Sequence, residues 1–340
     1  MAAVNKPLWG ALLATLWTGS GTALAQGPVA EFYKGKTINM LIGTVVGGEF
    51  DLHARLVARF IGKHIPGNPT VVPQNMAGGG GVRMTNYFYQ AAARDGTQLA
   101  VINSALPFSQ VLGVEGVQFD LAKFNWIGSI APSVETMVVW RTTGVASLEE
   151  AKAKEVIVGT SGKGSFMYTF PKMLNEMLGT KFKIVVGYAG GNDVNMAMER
   201  GEVYGRNNTW SSWKATKPEW LKKGDIRILA YAGPPPKDLP GVPNVESLAR
   251  NDDDRRVMAL IVSGARLGRP MTTNQNVPAE RVKALRDAFD AAMKDPEFSA
   301  AAKQARVEPD PIRGIDLQRI VTEVLTTPKP LVERARKVVD

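Results

Sequence analysis

The sequence predicts an α/β protein with largely parallel sheets, because short apolar runs alternate with amphipathic stretches along the chain. The first unit shows the pattern. The run from Ile38 to Ile42 is apolar and has β propensity, and after a pair of glycines Leu52, Leu56 and Phe60 recur every four residues. This is a strand, a turn and a helix. The same order returns further along the chain, after residues 159 and 186.

The remaining elements follow from the same signals. The predicted strands are Thr70 to Val72, Gln98 to Ile102, Met137 to Trp140, Val156 to Gly159, Lys183 to Val186 and Ile226 to Ala230. The predicted helices are Asp51 to His64, Gly81 to Ala93, Ser165 to Leu178, Asp193 to Arg200 and Ala279 to Lys294. Because open α/β sheets bind ligands at the carboxyl ends of their strands, the glycine-bearing turns there predict a binding site.

The N-terminus has the features of an export signal. Lys6 precedes an apolar core from Leu8 to Trp17, and Ala23-Leu24-Ala25 is a small-x-small cleavage site. The apolar core is only about half as long as the roughly 20 residues of a membrane span, so cleavage near Ala25 is favoured over a membrane anchor. We therefore expect an exported protein whose signal peptide is removed. The chain has no cysteine, which excludes lipid attachment through cysteine, disulfides and cysteine metal sites.

The length and charge of the chain bound its class. The 340 residues fit about two domains or one large one. The 41 basic residues exceed the 32 acidic ones, for a net charge of +9, which favours anionic partners. The basic residues form no long run, so nucleic acid is not a predicted partner.

No pattern of catalytic or metal-ligating residues is complete. In GTSGKGS, Gly164 follows the lysine where a nucleotide-binding loop needs Ser or Thr. His53 and His64 stand three helical turns apart, too far to share a metal. Asp252-Asp253-Asp254 is interpreted as a solvated turn. We therefore predict no catalytic residue, metal or cofactor, which favours a binding protein over an enzyme.

Several motifs, taken in order, resemble one family. FYKGKTINMLIGTVVGGEFDLHARLVARFI contains a lysine-x-isoleucine strand, a glycine turn and a D-x-x-A-R helix. VVPQNMAGGGGVRMTNYFYQAAARDGTQLAVIN, VGTSGKGS and VVGYAGGNDVNMAMERGEV follow in the same order as in the family. The chain thus resembles the Bug family, the periplasmic solute-binding proteins of tripartite tricarboxylate transporters, from Phe32 to about Val332.

The resemblance implies a type II periplasmic-binding-protein fold, with two α/β domains around a central ligand cleft. It implies domain I from 26–127 and 236–340, domain II from 128–235, and hinge motion at the crossovers near 125–134 and 232–236. The implied ligand is a small organic acid, by default a di- or tricarboxylate, with an amino or aromatic acid as alternatives. The implied partners are membrane transporter subunits, and the protein is expected to be a monomer. A role in presenting ligand to a membrane sensor is the alternative function.

The resemblance also implies which residues bind the ligand. They are Val46, Gly47, Gly48, Glu49, Asp51, Asn103, Ser104, Ser161, Lys163, Gly164, Ser165, Tyr188, Gly190, Arg206 and Asn208. The serines and asparagines could instead cap helices, and the glycines could serve only turn geometry. Three positions depart from the family pattern: Val45 and Val46 replace prolines, and Glu49 replaces a third glycine. A carboxylate there repels an acidic ligand unless it points away or pairs, and Lys163 or Arg206 could offset it.

Overall fold

Two β-sheets covered by helices form the framework of the protein; a computed structural model describes residues 27–340. The signal peptide predicted over residues 1–25 lies outside the described residues. The strands are β1 (Thr37–Ile42), β2 (Thr70–Asn75), β3 (Gln98–Val101), β4 (Asn125–Ser129), β5 (Glu135–Trp140), β6 (Val156–Thr160), β7 (Phe182–Val186), β8 (Gly205–Thr209), β9 (Ile226–Ala232), β10 (Met271–Thr273) and β11 (Ile312–Arg313).

The helices pack on both faces of the sheets. They are α1 (Gly27–Tyr33), α2 (Glu49–Ile61), α3 (Val82–Gln90), α4 (Leu106–Leu112), α5 (Leu148–Ala153), α6 (Phe166–Met173), α7 (Gly191–Glu199), α8 (Trp210–Thr216), α9 (Pro218–Lys223), α10 (Asp252–Ile261), α11 (Ala279–Met293), α12 (Pro296–Gln304), α13 (Gly314–Leu325) and α14 (Lys329–Val339). None of the helices between Gly27 and Asp340 combines the length and apolar character that a bilayer crossing needs.

Each sheet mixes parallel and antiparallel strands. The first has the order β11-β4-β10-β3-β1-β2, and the second has the order β7-β6-β8-β5-β9. The predicted parallel pairing holds for β1 with β2 and β3, and for β6 with β7 and β8. It is wrong for β10 and β5, which run antiparallel to both of their neighbours because they enter their sheets from the crossovers.

The chain crosses between the sheets at places where glycine permits close packing. The residues between β4 and β5 pass from the first sheet to the second, and the residues after β9 lead back. Gly233 has φ +102° and lies against the Ser133 carbonyl, and Gly268 has φ +66° and lies against the Ala131 carbonyl. Any other residue would be strained there, both by its φ and by a Cβ in contact with backbone.

Two apolar clusters flank the first sheet and two flank the second. On the second sheet, the largest cluster joins Val158 and Met137 to Val257 of α10 and Ala335 of α14. Helices from the C-terminal part of the chain thus contribute to the core beside the second sheet.

The interpretation of Asp252-Asp253-Asp254 as a solvated turn is wrong. The three residues begin α10, where the Asn251 side chain accepts a 2.8 Å hydrogen bond from the Asp254 N–H. Asp254 is buried and accepts hydrogen bonds from Arg250 and from Arg334 of α14. It therefore links the first turn of α10 to the C-terminal helix.

Candidate functional site

A cleft of about 470 Å³ lies where the turns of the two sheets face each other. From the first sheet, it is lined by the turn after β1, by Ala77 to Gly81 after β2, and by Asn103 and Ser104 after β3. From the second sheet, it is lined by the turns after β6 and β7 and by the end of β8. A cavity of this size suits a small organic molecule.

The structure brings ten of the fifteen predicted binding residues to this cleft. These are Gly48, Glu49, Asn103, Ser104, Ser161, Ser165, Tyr188, Gly190, Arg206 and Asn208. The other five, Val46, Gly47, Asp51, Lys163 and Gly164, are not among the residues that line it.

Asp51 and Gly47 hold the first turn in shape. The Gly47 N–H donates to Asp51 Oδ2 over 2.9 Å, and Asp51 Oδ1 accepts from Arg55 over 2.8 Å and from Asn75 over 2.9 Å. Burial would raise the pKa of Asp51, but these hydrogen bonds outweigh it and lower the pKa. The carboxylate is thus fully engaged with the backbone of the turn, with Arg55 of α2 and with Asn75 at the end of β2.

Arg206 is a buried cation that faces the cleft. Its Nε donates to the Asn207 carbonyl over 3.0 Å, and its Nη1 donates to the Gly191 carbonyl and, over 2.9 Å, to Asn195 Oδ1. These acceptors are uncharged, so within residues 27–340 no carboxylate forms a hydrogen bond with the guanidinium. Burial lowers the pKa of Arg206 to about 10, and the charges of Glu135 and Glu49 nearby offset this only in part, so Arg206 remains charged at neutral pH.

Gly191 makes room for this guanidinium. A Cβ at residue 191 would lie 2.5 Å from Arg206 Nη1 and 2.6 Å from Nη2. The glycine at the start of α7 therefore lets the arginine lie against the first turn of that helix.

Glu49 pairs with an arginine that the sequence analysis did not identify. Arg269 Nη2 donates to Glu49 Oε2, and Arg269 Nη1 donates to Ser133 Oγ. Thr209 and Ser211, from the second sheet and α8, also donate their hydroxyls to the Glu49 carboxylate. Burial would raise the pKa of Glu49, but Arg269, His53 and the two hydroxyls outweigh it and lower the pKa. Glu49 is thus ionised, and it connects α2 to the second sheet.

Glu135 is a second buried acid at the cleft and was also not predicted. Burial raises its pKa to about 7, and the positive charges of Arg269 and Arg206 offset this only in part. The neighbouring charge of Glu49 raises it further. Near neutral pH, Glu135 is therefore present in both its protonated and ionised forms.

The two tryptophans after β8 pack beside the site without lining the cleft. Trp213 is buried under the Arg206 guanidinium, 5.3 Å from it, and donates to Thr136 Oγ1. Trp210 donates to Asp238 over 2.7 Å. Both belong to the core around α8, so they support Arg206 rather than offering a stacking surface.

Comparisons with known proteins support the fold and the class. No family model matches the chain. The UPF0065 protein in the gbd 5' region of Cupriavidus necator is 24% identical over 336 residues, covering 96% of this chain and 95% of that protein. The periplasmic binding protein BugD has a TM-score of 0.72 at 18% identity, over 90% of this chain and 98% of BugD. MatC (Rpa3494) from Rhodopseudomonas palustris, with bound malate, has a TM-score of 0.69 at 18% identity, over 90% and 99% of the two chains.

The fold is therefore that of the two-domain periplasmic binding proteins, as the resemblance predicted. The more particular resemblance, to Bug-family solute-binding proteins, is confirmed by BugD in structure and by the UPF0065 protein in sequence. BugD is a binding protein and MatC holds malate as a ligand, which agrees with the prediction of a binding protein rather than an enzyme.

Proposed function

We propose that this protein is an exported solute-binding protein that captures a small organic carboxylate between its two domains and delivers it to a tripartite tricarboxylate-type membrane transporter. The observation that carries the proposal is Arg206, a buried guanidinium at the cleft whose protein acceptors are all uncharged. A buried charge that lacks a hydrogen-bonded counter-ion is costly. An anion is therefore the partner that the Arg206 guanidinium favours. A carboxylate can accept a charge-assisted hydrogen bond from Arg206 Nη2, which donates to none of the described protein groups.

Capture requires the two sides of the cleft to move. We assign 26–127 and 236–340, apart from α10 and α14, to one domain and 128–235 to the other, whose core α10 and α14 complete, with closure at the crossovers. The separate sheets and the contacts of Gly233 and Gly268 at the crossovers support this assignment. Hinges absorb rotation at a few backbone positions, as these two segments would.

A thermal-shift screen of residues 26–340 against mono-, di- and tricarboxylates, amino acids and neutral controls tests capture. A ligand at 100 times its Kd adds about 2.7 kcal/mol to the free energy of unfolding. With an unfolding entropy of roughly 0.7 kcal/mol/K for a chain of this size, the Tm rises by about 4 °C. Titration calorimetry of the hits gives the stoichiometry, expected to be one per chain. A protein that responds to no acid after refolding from denaturant would contradict the proposal.

Export and delivery need separate experiments. Export is supported by the resemblance to BugD, a periplasmic protein, and mass spectrometry of the secreted chain should give an N-terminus near Gln26. Delivery is tested with vesicles that contain the transporter's membrane subunits: ligand uptake should depend on adding the binding protein. Light scattering should give the mass of a monomer.

A further inference from the structure

The charged groups at the cleft balance to a small positive value. Within residues 27–340, the arginines and acids that line it are Glu49, Glu135, Arg206 and Arg269. Glu49 neutralises Arg269 through a direct ion pair. Burial raises the pKa of Glu135 to about 7, and an anion bound nearby raises it further by like-charge repulsion. With Glu135 protonated, the four groups carry one net positive charge, which one carboxylate balances.

Glu49 also occupies the place where a second carboxylate would be most favoured. The N-terminus of α2 follows the glycine turn after β1, and free N–H groups and the helix dipole favour an anion there. Glu49 is the first residue of α2, so the protein's own carboxylate brings its charge to this helix end. Because Glu49 is already paired with Arg269, a ligand carboxylate placed there would lie beside a carboxylate and would meet no unpaired cation.

Three polar side chains of the cleft already use a donor within the protein, whereas the side chains of Ser104, Asn192 and Asn208, which also line it, form no hydrogen bond to the described residues. Asn103 Nδ2 donates to the Gly80 carbonyl over 2.9 Å, Ser165 Oγ donates to the Gly162 carbonyl over 2.7 Å, and Thr209 donates to Glu49. These groups shape the turns, and engaging a ligand would require breaking those bonds. Apolar side chains fill much of the remaining lining: Val45, Phe50, Phe166, Met167 and Tyr188.

We propose that the cleft selects an apolar monocarboxylate, whose carboxylate pairs with Arg206 while its hydrocarbon body contacts the apolar lining, and that it discriminates against dicarboxylates. This inference rests on the proposed function and narrows its ligand class. Arg206 Nη2 is the donor that remains available, because the hydrogen bonds to protein use Nε and Nη1. A second carboxylate on the ligand would find no second unpaired cation among the residues that line the cleft, because Arg269 is already paired with Glu49, so its desolvation would be compensated less well than that of the first.

Titration calorimetry with two matched pairs tests the selection. Hexanoate and adipate have the same chain length but one and two carboxylates, and phenylacetate and 1,4-phenylenediacetate form the aromatic pair. We expect the monocarboxylate of at least one pair to bind at least tenfold tighter than its dicarboxylate partner. Hexanamide and phenylacetamide, which lack the charge, should not bind measurably.

The outcomes separate this inference from the proposed function. If at least one of the four acids binds but neither pair favours its monocarboxylate tenfold, the inference is overturned and carboxylate capture stands. If dicarboxylates of the wider panel bind while neither monocarboxylate does, the inference is again overturned. If no acid of any class binds to the folded protein, capture of a carboxylate fails as well.

Two variants test the residues. Arg206→Gln should lower the affinity for the tighter-binding monocarboxylate by about 10- to 100-fold, which is the usual contribution of a hydrogen bond to a charged group. Arg200→Gln is the matched control: Arg200 is exposed, pairs with Glu202, and should leave the affinity unchanged. Glu49→Gln should shift the ratio of monocarboxylate to dicarboxylate affinity toward the dicarboxylate by at least tenfold. An unchanged ratio in a folded Glu49→Gln protein would contradict the role given to Glu49.

Discussion

The buried pair of Glu49 and Arg269 gives the sharpest prediction about the framework of the site. Both side chains are nearly inaccessible, at 6% and 3% exposure. Glu49→Gln keeps the shape of the side chain but removes the carboxylate that pairs directly with the buried Arg269 guanidinium. Removing one partner of a buried pair costs about 3 to 5 kcal/mol.

This loss should appear in thermal unfolding. With an unfolding entropy of roughly 0.7 kcal/mol/K, the Tm should fall by about 4 to 7 °C. Differential scanning calorimetry of the ligand-free protein measures it. The matched control is Glu202→Gln, which breaks the exposed pair with Arg200 and should leave the Tm unchanged, since solvent screens such pairs.

A double-mutant cycle distinguishes the ion pair from two unrelated losses. Arg269→Met alone leaves Glu49 ionised and buried, whereas the double variant removes both charges. If the pair is coupled as the structure shows, the double variant should be more stable than the sum of the single losses predicts, by about 2 kcal/mol. If the stability loss of the double variant equals the sum of the two single losses to within about 0.5 kcal/mol, the reasoning is refuted.

Three further substitutions address the site and the packing around it. Gly191→Ala should displace the Arg206 guanidinium and weaken acid binding at least tenfold by calorimetry, because its Cβ would lie 2.5 Å from Nη1. Burial raises the pKa of Glu135 to about 7, so the native state holds this proton longer than the unfolded chain and loses stability as pH rises. Relative to Glu135→Gln, the native sequence should lose about 3 kcal/mol from about pH 4.5 to about pH 7 in denaturant unfolding. Burial lowers the pKa of His53 to about 4, so its contribution makes stability rise with pH. His53 is present in both proteins, so this contribution cancels in the difference. Asp254→Asn should cost about 1 to 3 kcal/mol, because it weakens the buried link between α10 and α14.

Matched controls exist for two of these variants. Gly162→Ala adds a methyl group at a turn of the second sheet where nothing lies within 4 Å, so acid binding should persist. Asp253→Asn removes a charge from the exposed neighbour of Asp254 and should leave stability unchanged. Equal effects of Gly162→Ala and Gly191→Ala on binding, or of Asp253→Asn and Asp254→Asn on stability, would contradict the contacts described. A wild-type pH profile parallel to that of Glu135→Gln would contradict the raised pKa.

The sequence predicts the local units of the fold because their signals are local. The apolar run of β1, the glycines after it and the four-residue period of α2 lie within one stretch of chain, and the structure has all three there. The turns after β3, β6 and β7 meet at one cleft because they follow the carboxyl ends of strands. Local signals do not tell whether a polar side chain in such a turn faces outward or inward. Asp51 belongs to the right turn, yet it bonds to that turn's own backbone.

The groups that set the charge of the cleft come from distant parts of the chain. Arg269 precedes β10 and reaches Glu49 across 220 residues of sequence, and nothing in the motif around it indicates a buried ion pair. Glu135 offers a weak signal, since it is an acid at the start of the apolar run of β5 and must be buried if that strand is central. Its pKa depends on the antiparallel register that places Glu135 opposite Thr209, and no sequence period encodes that register.

Glu49 shows why a departure from a motif can be noticed in sequence but interpreted only in three dimensions. A glutamate in place of a glycine beside an anion site suggests either repulsion of the ligand or a cation to offset it, and the nearby candidates in the sequence were Lys163 and Arg206. Lys163 is exposed, and Arg206 bonds only to uncharged acceptors. The offset comes from Arg269, which leaves Arg206 available to a ligand. Glutamate in place of glycine at residue 49 therefore removes the anion site at the start of α2 and leaves the anion site at Arg206 in place. This argues for a ligand with a single negative charge.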